Sequence, residues 1–229
     1  MQPVVPPLFA FEAVTVSGSD GRHRLRDVTA TFAAPGVTAI VGPSGSGKTT
    51  LLRCCNRLDV PASGVVRFRG DDLGALDVLG LRRRVGMVFQ RPIPFAGTCA
   101  DNLRVADPAL DDSAAAALLD RVGLDGGFVA RDAREISGGE AQRLCLARAL
   151  AVEPEVLLVD EPTASLDATS RAVIEGVVRD LAAAGVAVLW VSHDLDQVTR
   201  VADDVVVVVD GRVVGPEAAA RYLAGGDRA

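Results

Sequence analysis

No apolar run in this 229-residue chain reaches the ~18 residues that a membrane-spanning helix requires, so no segment is expected to cross a bilayer. Met1 to Phe11 carries no basic residue ahead of its apolar part, which argues against a secretory signal and for the cytoplasm. Positive charge is not in excess. The 24 Lys and Arg are outnumbered by 30 Asp and Glu, and a net charge of −6 gives no support to nucleic acid as the main partner, because phosphate backbones call for a basic surface. The local run Arg82-Arg83-Arg84 reads as a solvated helix end. Cys54, Cys55, Cys99 and Cys145 contain no C-x-x-C pair, so neither a zinc site nor a redox motif is indicated. They read as small buried residues in a reducing compartment. Internal repeats and long linkers are missing, and 229 residues are enough for one domain with a lobed insertion. Lysine is almost absent: Lys48 is the only one beside 23 arginines.

That lysine lies in Gly42-Pro43-Ser44-Gly45-Ser46-Gly47-Lys48-Thr49-Thr50, after the apolar run Val37–Val41 and before Leu51-Leu52-Arg53. A buried strand, a G-x-x-x-x-G-K-[ST] turn and a helix start together specify a phosphate-binding loop. Its glycines let successive N–H groups form an anion nest, and the helix adds its positive N-terminal end. Lys48 can reach the β- and γ-phosphates, and the Thr49 hydroxyl can take a Mg²⁺ position. A compact ammonium suits a tight cradle that a planar guanidinium would not fit.

Hydrophobic residues make up 49% of the chain and mean hydropathy is +0.28. Much of this is Ala and Val, and Val fills buried parallel strands. Leu8–Val16 and Arg24–Phe32 read as strands of an antiparallel sheet, separated by the turn cluster Ser17–Gly21. Thr49–Leu58 is expected as helix, Gly64–Phe68 as strand, Leu76–Arg84 as a weaker helix and Val85–Phe89 as strand. Gln90 stands at the end of that strand, where a lone Gln is ordinarily structural and draws interest only from its place between motifs. Two prolines in Arg91–Phe95 force extended backbone. Thr98–Arg134 is Ala- and Leu-rich and reads as a helical lobe, with Asp111 or Asp112 capping a helix that ends near Gly123.

Ile136-Ser137-Gly138-Gly139-Glu140 precedes a helix to about Ala151 with an apolar stripe of Leu144, Ala147, Leu150 and Ala151. Ser-Gly-Gly there is either a capped helix start or a second phosphate-binding nest. Val156–Val159 is an uninterrupted apolar run, as in a central parallel strand, and leads into Asp160, Glu161 and Pro162. Carboxylates at such a strand end lie in the crevice where open α/β sheets bind ligands. Asp160 can hold Mg²⁺ through water, and Glu161 can orient and deprotonate an attacking water. Ala164–Asp167 opens another helix, with Asp167 as a cap or interface group. Val186–Val191 is a further buried strand ending at Ser192-His193-Asp194, where His193 is structural or holds the γ-phosphate and the water. Val205–Val214 contains an Asp-Gly hairpin, and Pro216–Leu223 a last helix.

In this order, the phosphate loop, Gln90, ISGGE (Ile136–Glu140), VLLVDEP (Val156–Pro162), SLD (Ser165–Asp167) and His193 resemble the nucleotide-binding subunit of an ATP-binding cassette (ABC) transporter, over Leu8 to Leu223. The resemblance implies an α/β fold with a mostly parallel P-loop NTPase sheet. An N-terminal antiparallel β-subdomain and an inserted helical subdomain would complete it. It would be one ABC domain, with its core at about 8–90 and 150–223 and its signature lobe at about 91–149. It implies Mg²⁺-dependent ATP hydrolysis in a head-to-tail homodimer, or a pair of cassettes. ATP would be held by Gly42 to Thr50 and Gln90 of one copy and met by Ser137, Gly138, Gly139 and Glu140 of the other. Lys48, Glu161 and His193 would be catalytic, Asp167 would sit in the interface loop, and Thr49, Gln90 and Asp160 would serve the metal. A separate membrane permease would be contacted through about Arg91–Asn102, placing the protein peripherally at the inner face of the membrane.

Two features depart from the pattern. Near Ser17-Gly18 the family stacks an aromatic on adenine, whereas this chain has none there; either His23 or Arg22 replaces it or the base is held loosely, which leaves strict ATP-over-GTP preference open. The signature ends in Glu140 where Gln is commoner. Gln-Arg-Pro-x-Pro-Phe is similar to phosphate importers, and Ala187–His193 to metal-export ATPases, so cargo and direction stay open. A soluble cassette ATPase acting in assembly or on nucleic acid is the alternative function. An unrelated P-loop kinase or GTPase would leave Ser137–Gly139 and His193 without a task.

Overall fold

Strand β1 (Phe9–Ser17) begins with Phe9 and Phe11 buried, then switches parity so that Val14 and Val16 are buried instead. The switch occurs at Ala13, whose φ of 51° marks a bulge, and the pairing register shifts there as well. One inserted residue thus keeps apolar side chains on the core face across the bend. The coordinates are a computed structural model that describes residues 6–33, 35–164 and 166–225. Met1–Val5 at the start of the segment read for a signal, and Ser165 of the SLD motif, lie outside the described residues.

After β1 come β2 (His23–Phe32), β3 (Gly36–Val41), α1 (Lys48–Cys54), β4 (Ser63–Phe68) and β5 (Asp71–Asp72). A 3-10 turn (Leu73–Ala75), α2 (Val78–Arg84) and β6 (Val85–Val88) follow. Next are α3 (Cys99–Arg104), α4 (Asp112–Arg121), a second 3-10 turn (Gly126–Phe128) and α5 (Gly138–Leu150). The chain continues through β7 (Val156–Asp160), α6 (Ala168–Ala183), β8 (Ala187–Val191) and α7 (Leu195–Val201). It closes with β9 (Asp204–Val209), β10 (Arg212–Val213) and α8 (Pro216–Leu223). Two compact units result, Met1–Arg82 with Leu189–Ala229, and Arg83–Val188.

In the first unit β1 pairs antiparallel with β2 on one side and β4 on the other, as expected for the N-terminal sheet. Phe9 stacks on Phe68 at 5.0 Å between ring centroids, and Phe11 meets Phe32 edge-on at 5.7 Å. β3 pairs with β9 in parallel, and β9 turns back into β10 through Asp210 and Gly211, both at positive φ, the geometry an Asp-Gly hairpin favours. Helix α1 stops at Cys54, short of the expected Leu58, because Arg57 takes a left-handed φ of 57° that breaks the helical path. Helix α2 starts two residues later than Leu76, since Asp77 turns its carboxylate onto Gly80 N (2.6 Å) and caps the first turn.

In the second unit β6 and β7 pair in parallel, and all five residues of β7 are buried. This is why the strand reads as a continuous apolar run. Asp111, not Asp112, caps α4 by accepting from Ala114 N at 2.8 Å, and Gly123 ends it at a φ of 69°. Helix α5 buries Leu144, Ala147 and Leu150, and Ala151 is buried just past its end, so the expected stripe is in place. The four cysteines are free and buried, as their small apolar reading requires.

Candidate nucleotide site

In the first unit the phosphate loop is built by backbone that only glycine tolerates at two points. A Cβ on Gly42 (φ 149°) would lie 2.0 Å from Val208 O, and one on Gly47 (φ 104°) 2.5 Å from Arg24 O. The loop is therefore pressed between β9 and β2. Gly211 N holds it further by donating to Ser46 O at 2.9 Å. Lys48 opens α1 and is 6% exposed; its Nζ donates to Gly42 O (2.9 Å) and Pro43 O (2.8 Å). The ammonium is thereby folded back over the loop that it would serve. The Ser46 hydroxyl is buried and has no hydrogen-bond partner among the described residues, a cost that an incoming phosphate oxygen would relieve. Thr50 is buried, and Ser44, Gly45 and Thr49 complete the turn and the first helical residues.

His193 follows β8 in an exposed position and faces a cleft lined by Asp194, Leu195, Asp196 and Tyr222. Its neighbours are fixed: Ser192 Oγ accepts from Asp194 N and bonds Gln197 Oε1, each at 3.0 Å, and Asp194 caps α7. At the β1–β2 turn His23 Nδ1 lies 3.1 Å from Ser17 Oγ, so an imidazole is oriented where the aromatic is missing.

In the second unit the parallel register sets the acid. Val88 pairs with Val159, so Gln90 and Glu161 each stand two residues beyond a paired position. Gln90 Nε2 donates to Glu161 Oε2 at 3.1 Å. Asp160 ends β7 at 4% exposure, whereas Glu161 steps out of the strand at a φ of 44°, a left-handed conformation that costs a non-glycine residue about 1 kcal/mol. Ser137 and Glu140 form a reciprocal cap on α5, with Ser137 N donating to Glu140 Oε2 at 2.7 Å and Glu140 N to Ser137 Oγ at 3.3 Å. Asp167 caps α6 through Ser170 N at 2.9 Å. A Cβ on Gly139 would fall 2.6 Å from Ser170 Oγ and 3.2 Å from Ser170 Cβ, so a side chain there would push against α6. A Cβ on Gly138 would meet nothing within 4 Å.

Three side chains that motif reading missed tie this unit together. Gln142 is 1% exposed and donates to Phe89 O at 3.0 Å, fastening α5 beside Gln90. Asn102 is buried and grips the strap before α3, accepting from Phe95 N (2.7 Å) and donating to Phe95 O (3.0 Å) and Thr98 O (2.9 Å). Arg148 of α5 lies over the Phe95 ring at 4.5 Å and donates to Ile93 O at 3.2 Å. Their only sequence signal is polarity inside an apolar helical stretch.

The family described as ABC transporter matches residues 25–164. The chain belongs to the ABC transporter family. Among its relatives, ABC transporter I family member 17 of Arabidopsis thaliana is 43% identical over 213 residues, covering 91% of this chain and 81% of that protein. Phosphate import ATP-binding protein PstB 2 of Mycobacterium tuberculosis is 41% identical over 246 residues, covering 94% and 88%. A solved dimer of the ATP-binding cassette MJ0796, in a post-hydrolysis state with ADP and Pi, superposes with a TM-score of 0.80 at 28% identity. That match covers 90% of this chain and 97% of that one. This cassette is an ATP hydrolase of the ABC family, and its α/β fold with an antiparallel N-terminal sheet is that of ABC ATPases. No helix among its described residues is long and apolar enough to cross a membrane.

Proposed function

We propose that this cassette is the energising subunit of a membrane transporter, working as a head-to-tail dimer or cassette pair that binds ATP between subunits and drives a separate permease. The observation that carries the two-copy reading is Gly138. Its own chain leaves open the space that a side chain would take, and its φ is not left-handed, so nothing within the subunit calls for glycine there. A close-approaching ligand from another copy would. Ser137, Gly138, Gly139 and Glu140 of one copy would then meet the γ-phosphate of ATP held by Gly42 to Thr50 and Gln90 of the other. Closure would be favoured only while the bridging phosphate is present, a population shift driven by differential affinity.

Within the site, Lys48 would neutralise phosphate charge, Glu161 would take a proton from the attacking water, His193 would position the γ-phosphate, and Asp167 would face the partner subunit. The orphaned Ser46 hydroxyl suits a phosphate oxygen. Thr49, Gln90 and Asp160 offer the oxygen donors that a hard Mg²⁺ prefers, and the ion when bound would supply charge neutralisation on the phosphates.

Permease contact would fall on Arg91–Asn102, where Ile93 is 67% and Phe95 46% exposed although both belong to a strap braced by Asn102 and Arg148. A rigid segment displaying apolar side chains suits a protein partner. On this reading the cassette would work at the inner face of the membrane, with a permease as partner and without nucleic acid.

The test is Glu161→Gln with ATP. This variant should bind nucleotide, lose nearly all turnover and elute as a dimer on size exclusion. Wild-type turnover would remove Glu161 from its role, and a monomer with ATP bound would remove the two-copy site. Co-purification of tagged protein from membranes should return a polytopic permease; its absence from every detergent extract would count against transport coupling.

A further inference from the structure

The two-copy reading, on which this inference rests, leaves Arg131 without a task, and the signature turn contains a charge conflict that Arg131 is placed to resolve. Glu140 is the third residue of α5, and its carboxylate accepts from Ser137 N at 2.7 Å. The Ser137 backbone bond, helped by the Ser137 hydroxyl and the nearby Arg131 and Arg143, holds the Glu140 carboxyl below the usual range. It is therefore an anion at neutral pH, beside the turn proposed to receive a triphosphate. Such repulsion is screened while the subunits are apart and strengthens when closure excludes water.

Arg131 Nη1 lies 3.8 Å from Glu140 Oε1. Its guanidinium is fixed from other directions: it lies over the Phe128 ring at 4.8 Å, and Nη2 donates to Glu135 O at 3.4 Å. The Arg131 carbonyl accepts from Cys99 N at 2.9 Å, and Ala133 N donates to Gly97 O at 2.9 Å, so the segment is laced to the start of α3. A half-exposed pair at this distance contributes little to folding. Its place next to Ser137 gives it a different use.

We propose that Arg131 is a positioning residue that neutralises Glu140 and so keeps the Ser137-Gly138-Gly139 turn receptive to the triphosphate bound by a second copy. The signature of this cassette carries a carboxylate, and Arg131 supplies the charge that makes it workable.

The test measures the ATP concentration for half-maximal dimerisation of the Glu161→Gln protein by analytical ultracentrifugation. Adding Arg131→Ala should raise it about tenfold, as for a charge pair desolvated at an interface. Arg131→Lys should recover most of the loss. Arg131→Ala with Glu140→Gln should return it to within about twofold of the parent, because a Gln at the third helical position keeps the cap without the charge. An Arg131→Ala protein that dimerises like the parent, or a defect equally large in the Glu140→Gln background, would overturn the inference. Arg131→Gln provides the uncharged variant if the alanine form does not fold, and it should show the same defect and the same rescue. Ser137→Ala separates this inference from the reading beneath it. Impaired dimerisation there with Arg131 variants unaffected overturns the role of Arg131 alone. Unimpaired dimerisation overturns the two-copy reading, and this inference with it.

Discussion

Gln90 Nε2 donates to Glu161 Oε2 at 3.1 Å, and the parallel pairing of β6 with β7 delivers the two residues to each other. Strand register therefore orients the carboxylate, and Glu161 keeps its strained φ because β7 is buried on every side up to Asp160. On the proposed role of Glu161, the amide steers the base.

Gln90→Ala should lower turnover about tenfold, the cost of losing the hydrogen bond that orients Glu161. Gln90→Glu places a like charge against Glu161, which raises the pKa of one carboxyl of the pair. Its rate–pH profile should shift to higher pH, since a base is active only above its pKa. A profile that overlays that of the parent would show that the two side chains do not interact during turnover.

Lys48 is held on the Gly42 and Pro43 carbonyls. Lys48→Ala should weaken nucleotide binding by at least about tenfold, as expected when a charge-assisted contact to phosphate is lost. Lys48→Arg should not restore it, because a planar guanidinium does not take the place of a compact ammonium donating to Gly42 O and Pro43 O. Isothermal titration with a non-hydrolysed ATP analogue reads both variants, and unchanged affinity in Lys48→Ala would remove the lysine from the site.

What could be read in advance was local. Four apolar residues running into Asp160 and Glu161 marked a strand end, and Ser-Gly-Gly ahead of an apolar stripe marked a helix start. What could not be read depends on distant segments meeting. Gln142 reaches Phe89 O across 53 positions, and Arg148 reaches Ile93 O across 55. Neither side chain differs in kind from a solvated helical polar residue. The bulge at Ala13 is equally silent, because alanine has no preference for the φ it adopts there.

Gly138 and Gly139 are adjacent but answer to different neighbours. Gly139→Ala would drive a methyl group to 2.6 Å from Ser170 Oγ and should destabilise the fold by about 1–3 kcal/mol, part of which Ser170→Ala should return. Gly138→Ala meets nothing within the subunit and replaces a poor helix former, so stability should hold or rise slightly. In the Glu161→Gln background it should nevertheless abolish ATP-dependent dimerisation. Thermal unfolding and sedimentation together decide the matter. A Gly138→Ala protein that unfolds early would place the constraint inside the subunit, and one that dimerises normally would leave the turn without a partner.

Burial keeps two adjacent thiols in their neutral form. It pushes the Cys54 thiol up to about 12, with the Asp59 charge adding to the effect, and raises that of Cys55 well above its ordinary value. A group whose pKa is higher in the folded than in the unfolded chain stabilises fully below its unfolded value and loses that contribution as pH rises toward the folded one. Stability should thus hold up to pH ~9 and decline between ~9 and ~12 as unfolded thiols ionise. Urea midpoints at intervals across that range should fall for the parent and fall less for Cys54→Ala/Cys55→Ala. Native protein should also resist a thiol reagent at pH ~8, where the unfolded chain reacts at all four cysteines. Rapid native labelling, or equal slopes for parent and variant, would show that these thiols are not the groups that burial holds neutral.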